Sequence, residues 1–146
     1  MGPRTRPIFS RMPPHLAEAV RRPLLKRYLR ILALFYAFGA SVHFGNLIGF
    51  GEIPFAESPL SWQIGDIVYA ALDTAVVIGL WRGRLWGIVC FCVAALSQIV
   101  LYSGFPNLFA FTEEQHAALR SMSILHLLCL GFFVGLVWVV RRRTDA

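Results

Sequence analysis

The sequence predicts an all-α fold, an integral membrane four-helix bundle with both termini in the cytoplasm, and three observations predict it. Four long segments are almost free of charge, apolar residues fill 57% of the 146 positions, and thirteen of the 14 Lys and Arg residues fall at one end of those segments. The mean hydropathy of +0.61 points the same way. A soluble domain of this size cannot hide that much hydrocarbon from water, whereas lipid can receive it.

Residues 1–30 form a basic N-terminal segment marked by Pro3, Pro7, Pro13, Pro14 and Pro23. Met1 to Pro14 reads as flexible chain. From His15 to Arg30 a short amphipathic helix is expected, with Leu16, Val20, Leu24 and Leu25 on its apolar side and an interruption or kink at Pro23. Its basic residues suit a topological anchor beside anionic lipid. Arg21-Arg22-Pro23-Leu24-Leu25-Lys26 resembles a twin-arginine export motif, but the chain carries no soluble domain that needs folded export.

Residues 31–140 hold the membrane domain, with spans expected near 31–50, 62–81, 85–103 and 122–140. The first has 20 uncharged residues, enough to cross a hydrocarbon core of about 30 Å. Along it Ala33, Ala37, Ser41 and Gly45 make an i, i+4 ladder of small residues, the kind of surface that lets membrane helices approach. Gly49, Gly51 and Pro54 end it. Pro59 and Ser61 suit the start of the second span, and Trp62 and Trp81 suit its two interfaces. Arg82-Gly83-Arg84 is so short a connection that the second and third spans must be antiparallel neighbours. The third span breaks at Ser103-Gly104-Phe105-Pro106. The aromatic run 105–111 is too short to span and reads as an interfacial turn, after which Thr112, Glu113 and Glu114 open a short amphipathic helix leading into the fourth span. Residues 141–146 are a basic tail.

Charge sets the orientation. The basic N-terminal segment, the central loop and Arg141 to Arg143 lie on one side, and Arg120 alone lies on the other beside Glu52, Glu57, Glu113 and Glu114. The Lys/Arg-rich side is cytoplasmic, which places both long loops outside, in a bacterial inner membrane. The net charge of +6 is thus a topology signal, and the lipid bilayer, with no nucleic acid, is the partner it implies. Cys90, Cys92 and Cys129 all lie in apolar segments as small hydrophobes, and a C-x-C pair on a helix points about 200° apart.

The concentrated chemistry is a polar layer. Counting helical rise from the cytoplasmic arginines puts His43, Asp66, Gln98 and His126 at similar depth, roughly 20–24 Å up, one on each span. Tyr69 shares a helix face with Asp66, and so does Asp73, which lies deeper. Tyr102 is the i+4 neighbour of Gln98, and Ser123, His126 and Cys129 follow one face. An aspartate in hydrocarbon finds a partner or holds a proton. Asp66 is expected to pair with His43 or His126, and Asp73 to keep a proton or to bond Tyr36 or Tyr69.

Four readings follow. The layer bonds only to itself and sets helix register. Or His43, Asp66, Tyr69, Asp73, Gln98, Tyr102 and His126 line a pocket for a lipophilic molecule such as a quinone or isoprenoid. Or His43 and His126 ligate haem b, or a metal ion such as zinc or copper together with Asp66. Or Asp73 and Asp66 relay protons. No nucleophile–histidine pair and no nucleotide loop is legible, so no catalytic residue is assigned. His15 and His116 lie outside the layer and read as surface histidines.

Pro59-Leu60-Ser61-Trp62, Gly79-Leu80-Trp81, Leu85-Trp86-Gly87 and the stretch from Leu101 to Phe109 resemble an uncharacterised family of small four-helix membrane proteins from alphaproteobacteria. In topology alone the chain is also similar to DoxX-like membrane proteins. The resemblance implies inner-membrane residence and the four-helix plan, and it carries no reaction and no site residue; His43, Asp66 and Asp73 lie outside the matching stretches. The expected function is an accessory or structural subunit packed against a larger membrane complex, respiratory, photosynthetic or other. The alternative is a redox-linked protein binding quinone or haem in the polar layer.

Overall fold

The computed structural model describes Val20, residues 22–51 and residues 53–142. The segment expected to be flexible, His15, Glu52 and the tail from Arg143 onward lie outside the described residues, as does nearly all of the expected amphipathic helix that precedes Pro23. Among the described residues four long α-helices make up the fold: α1 (Pro23–Leu47), α2 (Leu60–Trp81), α3 (Leu85–Gly104) and α4 (Glu113–Arg142). Each is long and apolar enough to cross a membrane. No strand occurs among the described residues.

The first helix starts earlier than expected because Pro23 opens it. Proline occupies the first helical position, where its missing N–H is no loss and its fixed φ suits the helix. The end is set by glycine. Gly49 takes φ +90, its N–H donates to the Asn46 carbonyl, and the Phe50 N–H reaches back to Gly45 at 2.8 Å, so α1 stops at Leu47 rather than near residue 50. The same device closes α2. Gly83 takes φ +61, its N–H donates to Leu80, and the Arg84 N–H donates to Gly79. The chain therefore reverses in three residues, as the central loop predicts.

The fourth helix corrects an expectation. No separate short helix precedes the last span; Glu113 to Arg142 is continuous. Its start is a reciprocal cap. The Gln115 N–H donates to Thr112 Oγ1 at 3.2 Å, while Gln115 Oε1 accepts from the N–H groups of Thr112 and Phe111. At 30 residues the helix runs about 45 Å, so its first turns rise beyond the apolar span. Between α3 and α4, Pro106–Leu108 forms a 3-10 turn, and the Ser61 hydroxyl donates to the Leu108 carbonyl instead of capping α2.

Neighbours in sequence pack as neighbours in space, α1 on α2, α2 on α3 and α3 on α4, and the packing of α1 on α4 that closes the bundle is sparser than these three. The tightest contact is α2 on α3. A Cβ placed on Gly79 would fall 2.3 Å from Gly87 Cα, so the two backbones meet with no side chain between them. The core lies toward the basic end and includes Leu25, Leu29, Leu32, Ala33, Tyr36, Val76 and Phe91. The small-residue ladder of α1 is thereby divided, with Ala33 in this core and Ser41 exposed. Near the same end the Tyr28 hydroxyl of α1 donates to the Cys129 carbonyl of α4. That bond pins the weak seam at its base and leaves the rest of it to the site.

Candidate functional site

Three helices bring the first cluster together. His43 Nδ1 lies 2.8 Å from Asp66 Oδ1, joining α1 to α2, and Asn46 Nδ2 donates to the same oxygen at 3.0 Å. The Asp66 oxygen accepts in both bonds, so His43 Nδ1 is the donor of its pair and Nε2 is left outside it. The His43 ring stacks on Tyr69 with centroids 5.7 Å apart. The Tyr69 and Ser97 hydroxyls are 3.0 Å apart, and Ser97 donates its single proton to the Ala94 carbonyl, so Tyr69 is the donor of that pair. A cavity of about 150 Å³ lies above this cluster, lined by His43, Asn46, Trp62, Asp66 and Tyr102 among others.

A second, larger cavity of about 280 Å³ adjoins it and shares His43, Tyr102 and Leu119 as lining. Its polar residues are deeply buried: Tyr36 and Asp73 are 2% exposed, His126 4% and Gln98 5%. Gly39 allows α1 to come close to Asp73, since a Cβ there would stand 2.7 Å from Asp73 Oδ2. His126 Nδ1 is 2.7 Å from the Met122 carbonyl one turn back and donates to it, which turns Nε2 into an acceptor. Tyr36 Oη, Asp73 Oδ1 and Gln98 Oε1 have no hydrogen-bond partner. The same is true of Trp62 Nε1 in the smaller cavity.

The mouth of the larger cavity lies in the weak seam. Phe38 and Val42 of α1 and Met122 of α4 line it and are themselves 45–67% exposed. A polar interior therefore opens sideways between apolar side chains.

All seven layer residues read from the sequence line one or both cavities. Of the two partners open to Asp66, the structure chooses His43. Of the two expectations for Asp73 it removes the bond to Tyr36 or Tyr69, because Tyr69 bonds Ser97, Tyr36 Oη is unpartnered and Asp73 Oδ1 remains unbonded, and it leaves the retained proton. His43 and His126 line the same cavity, but the structure does not gather them with Asp66 as a three-ligand metal site. His126 turns its Nδ1 to its own helix, and among the described residues no three His, Cys, Asp or Glu side chains gather as a metal site. Sequence reasoning missed Asn46, Ser97, Trp62 and Leu119. Asn46 was the findable one, three residues from His43 and so on the same helix face.

Chemically, the arrangement can exchange hydrogen bonds and protons with a small polar group. His126 Nε2 accepts, Tyr36 and Tyr102 can donate, and no activated nucleophile stands among them.

Fold and site together define a class: a four-helix protein, every helix long and apolar enough to cross a membrane, with a polar chamber opening between its first and last helices. The chain belongs to a family of unknown function, DUF6163, whose model matches residues 23–144. No curated protein and no solved structure matches the chain significantly.

Proposed function

We propose that this protein binds a small lipophilic molecule with a hydrogen-bonding head, of the quinone or isoprenoid-alcohol class, taken up sideways from the bilayer between α1 and α4. One observation carries the reading: Tyr36 Oη, Asp73 Oδ1 and Gln98 Oε1 surround a single chamber, and none is satisfied by the protein. Groups that served only helix register would bond one another, since each unpaired polar atom away from water costs about 1–3 kcal/mol. A hydroxyl head, as on a reduced quinone or an isoprenoid alcohol, carries both donor and acceptor and satisfies them, and its apolar tail suits the mouth beside Phe38 and Val42. The bacterial inner membrane, with both termini in the cytoplasm, belongs to this reading and is supported by the crowding of Lys and Arg at one end of the bundle.

The test is equilibrium binding of decylubiquinol, kept reduced, and of farnesol to the purified protein in nanodiscs, corrected for partition into empty discs. Saturable binding of one of them is expected, and Gln98→Leu should weaken it about tenfold, the effect of one lost hydrogen bond of about 1.4 kcal/mol. Binding no greater than partition for both probes refutes the proposal. A Soret band in the purified protein that His126→Ala abolishes would make haem the ligand instead.

The accessory-subunit reading is favoured by a different observation. Gly131 and Gly135 are spaced four apart on α4, and a Cβ on either would meet nothing within 4 Å. This small-residue groove, flanked by exposed Leu128 and Phe132, suits a further membrane helix. Gentle extraction from native membranes should then give a larger complex that Gly131→Leu dissociates. A single small species from both chains argues against that role.

A further inference from the structure

The opposite end of the bundle holds a concavity that the chamber does not use. It has a volume of about 330 Å³ and lies where the start of α1 meets the end of α2. Lys26 and Arg30 from α1 and Arg82 from the α2–α3 turn line it, over an apolar floor that includes Leu29 and Leu80. Both leucines are 2% exposed, so the floor is part of the packed core and the hollow is held open by rigid elements. Arg30 stands over the Trp81 ring, 5.7 Å from its centroid, which ties α1 to α2 and holds the guanidinium at the rim.

Among the described residues no acidic side chain lines this concavity. Three exposed cations from two elements therefore line one hollow without a counter-charge among those residues, and an anion seated there is attracted by all three. The backbone supplies little, because the N–H groups of Arg82, Gly83 and Arg84 are all spent on closing α2. The hollow is also two-natured. Cationic heads stand at its rim, whereas Val20, Leu29, Leu80 and Trp81 offer hydrocarbon and an interfacial indole. A phosphate with an attached apolar chain matches both parts.

We propose that Lys26, Arg30 and Arg82 form a phosphate site occupied from the membrane by the headgroup of an anionic phospholipid, whose acyl chain lies along Trp81. Basic pockets between membrane helices suit such headgroups. The site is remote from the chamber between α1 and α4, and it stands or falls independently of the ligand proposed there.

The experiment compares two double variants of equal charge. Lys26→Gln with Arg82→Gln removes cations from the concavity. Arg27→Gln with Arg84→Gln removes two from the same end of the bundle, and neither of these lines the concavity. Retention of phosphatidylglycerol is read by native mass spectrometry after mixed-lipid nanodiscs are dissolved in neutral detergent, and helical circular dichroism confirms that each chain is folded. The native protein should retain phosphatidylglycerol over phosphatidylcholine. The first pair should lose at least about tenfold of that retention, and the second should stay within about threefold of the native protein. Equal losses from both pairs would mean diffuse attraction to the basic end and would overturn the site. Binding of inorganic phosphate that depends on Lys26 and Arg82, with no lipid retained, would overturn the membrane as its source.

Discussion

Gly87→Leu is expected to prevent α2 and α3 from docking and to leave almost no folded protein in detergent. The α2–α3 contact is backbone against backbone, since a Cβ on Gly87 would fall 2.2 Å from the Gly79 carbonyl carbon and 2.5 Å from the Leu80 nitrogen. No flexible side chain stands there to move aside, so even alanine must drive the helices apart. Overpacking of this kind costs about 3 kcal/mol or more, a large part of a domain's net stability. Gly87→Ala should therefore be clearly destabilised and Gly87→Leu unrecoverable, as read by thermal unfolding and by the monodisperse fraction after extraction. Gly131→Ala is the control. It adds the same methyl group to a glycine with open space around it, and unfolding should shift by less than about 0.5 kcal/mol. Similar behaviour of Gly87→Ala and Gly131→Ala would mean that the close α2–α3 crossing does not exist.

Asp73→Leu is expected to raise stability while abolishing ligand binding. Asp73 is 2% exposed, and its Oδ1 bonds to nothing in the protein. Replacing an unpaired buried polar group by hydrocarbon removes a desolvation penalty of about 1–3 kcal/mol, and the adjoining cavity of about 280 Å³ accepts the larger side chain. Asp66→Leu should do the reverse to stability. It strips His43 and Asn46 of their shared acceptor, and hydrogen bonds to a charged group are worth about 1.5–3 kcal/mol each. Thermal unfolding in nanodiscs, run beside the decylubiquinol and farnesol binding assay, reads both. Opposite signs for the two aspartates would separate a group kept for a ligand from a group kept for the fold. If Asp73→Leu destabilised the protein as Asp66→Leu does, the chamber would be structural and the proposed function would fail.

These two tests mark where sequence reasoning reached and where it stopped. Four apolar runs bounded by arginine, proline and glycine are enough to define four helices long and apolar enough to cross a membrane, because a long apolar segment satisfies its own backbone best as a helix. The ends at Gly49 and Gly83 were legible for a similar reason, since left-handed backbone favours glycine. The early start of α1 was not. Pro23 reads equally well as a helix breaker and as a first helical residue, and only the extended backbone at Arg22 decides between them. The unbroken α4 was hidden likewise by Arg120 and its polar neighbours, which an overlong helix carries past the apolar span.

The sequence by itself determined the helical plan, the segregation of charge to one end and the depth of the polar residues, because each is a property of position along an axis. Tertiary structure alone decided rotation about that axis. His43 faces Asp66 and not the lipid, Tyr69 turns to Ser97, and His126 bonds its own helix. Rotation is set by which helices touch, and here one glycine pair and one loose seam set it. The crossing at Gly79 and Gly87 binds α2 to α3 closely, and the sparse α1–α4 contact leaves room for the chamber. A linear pattern gives the height of a side chain in a bundle; only packing gives the neighbour it meets there.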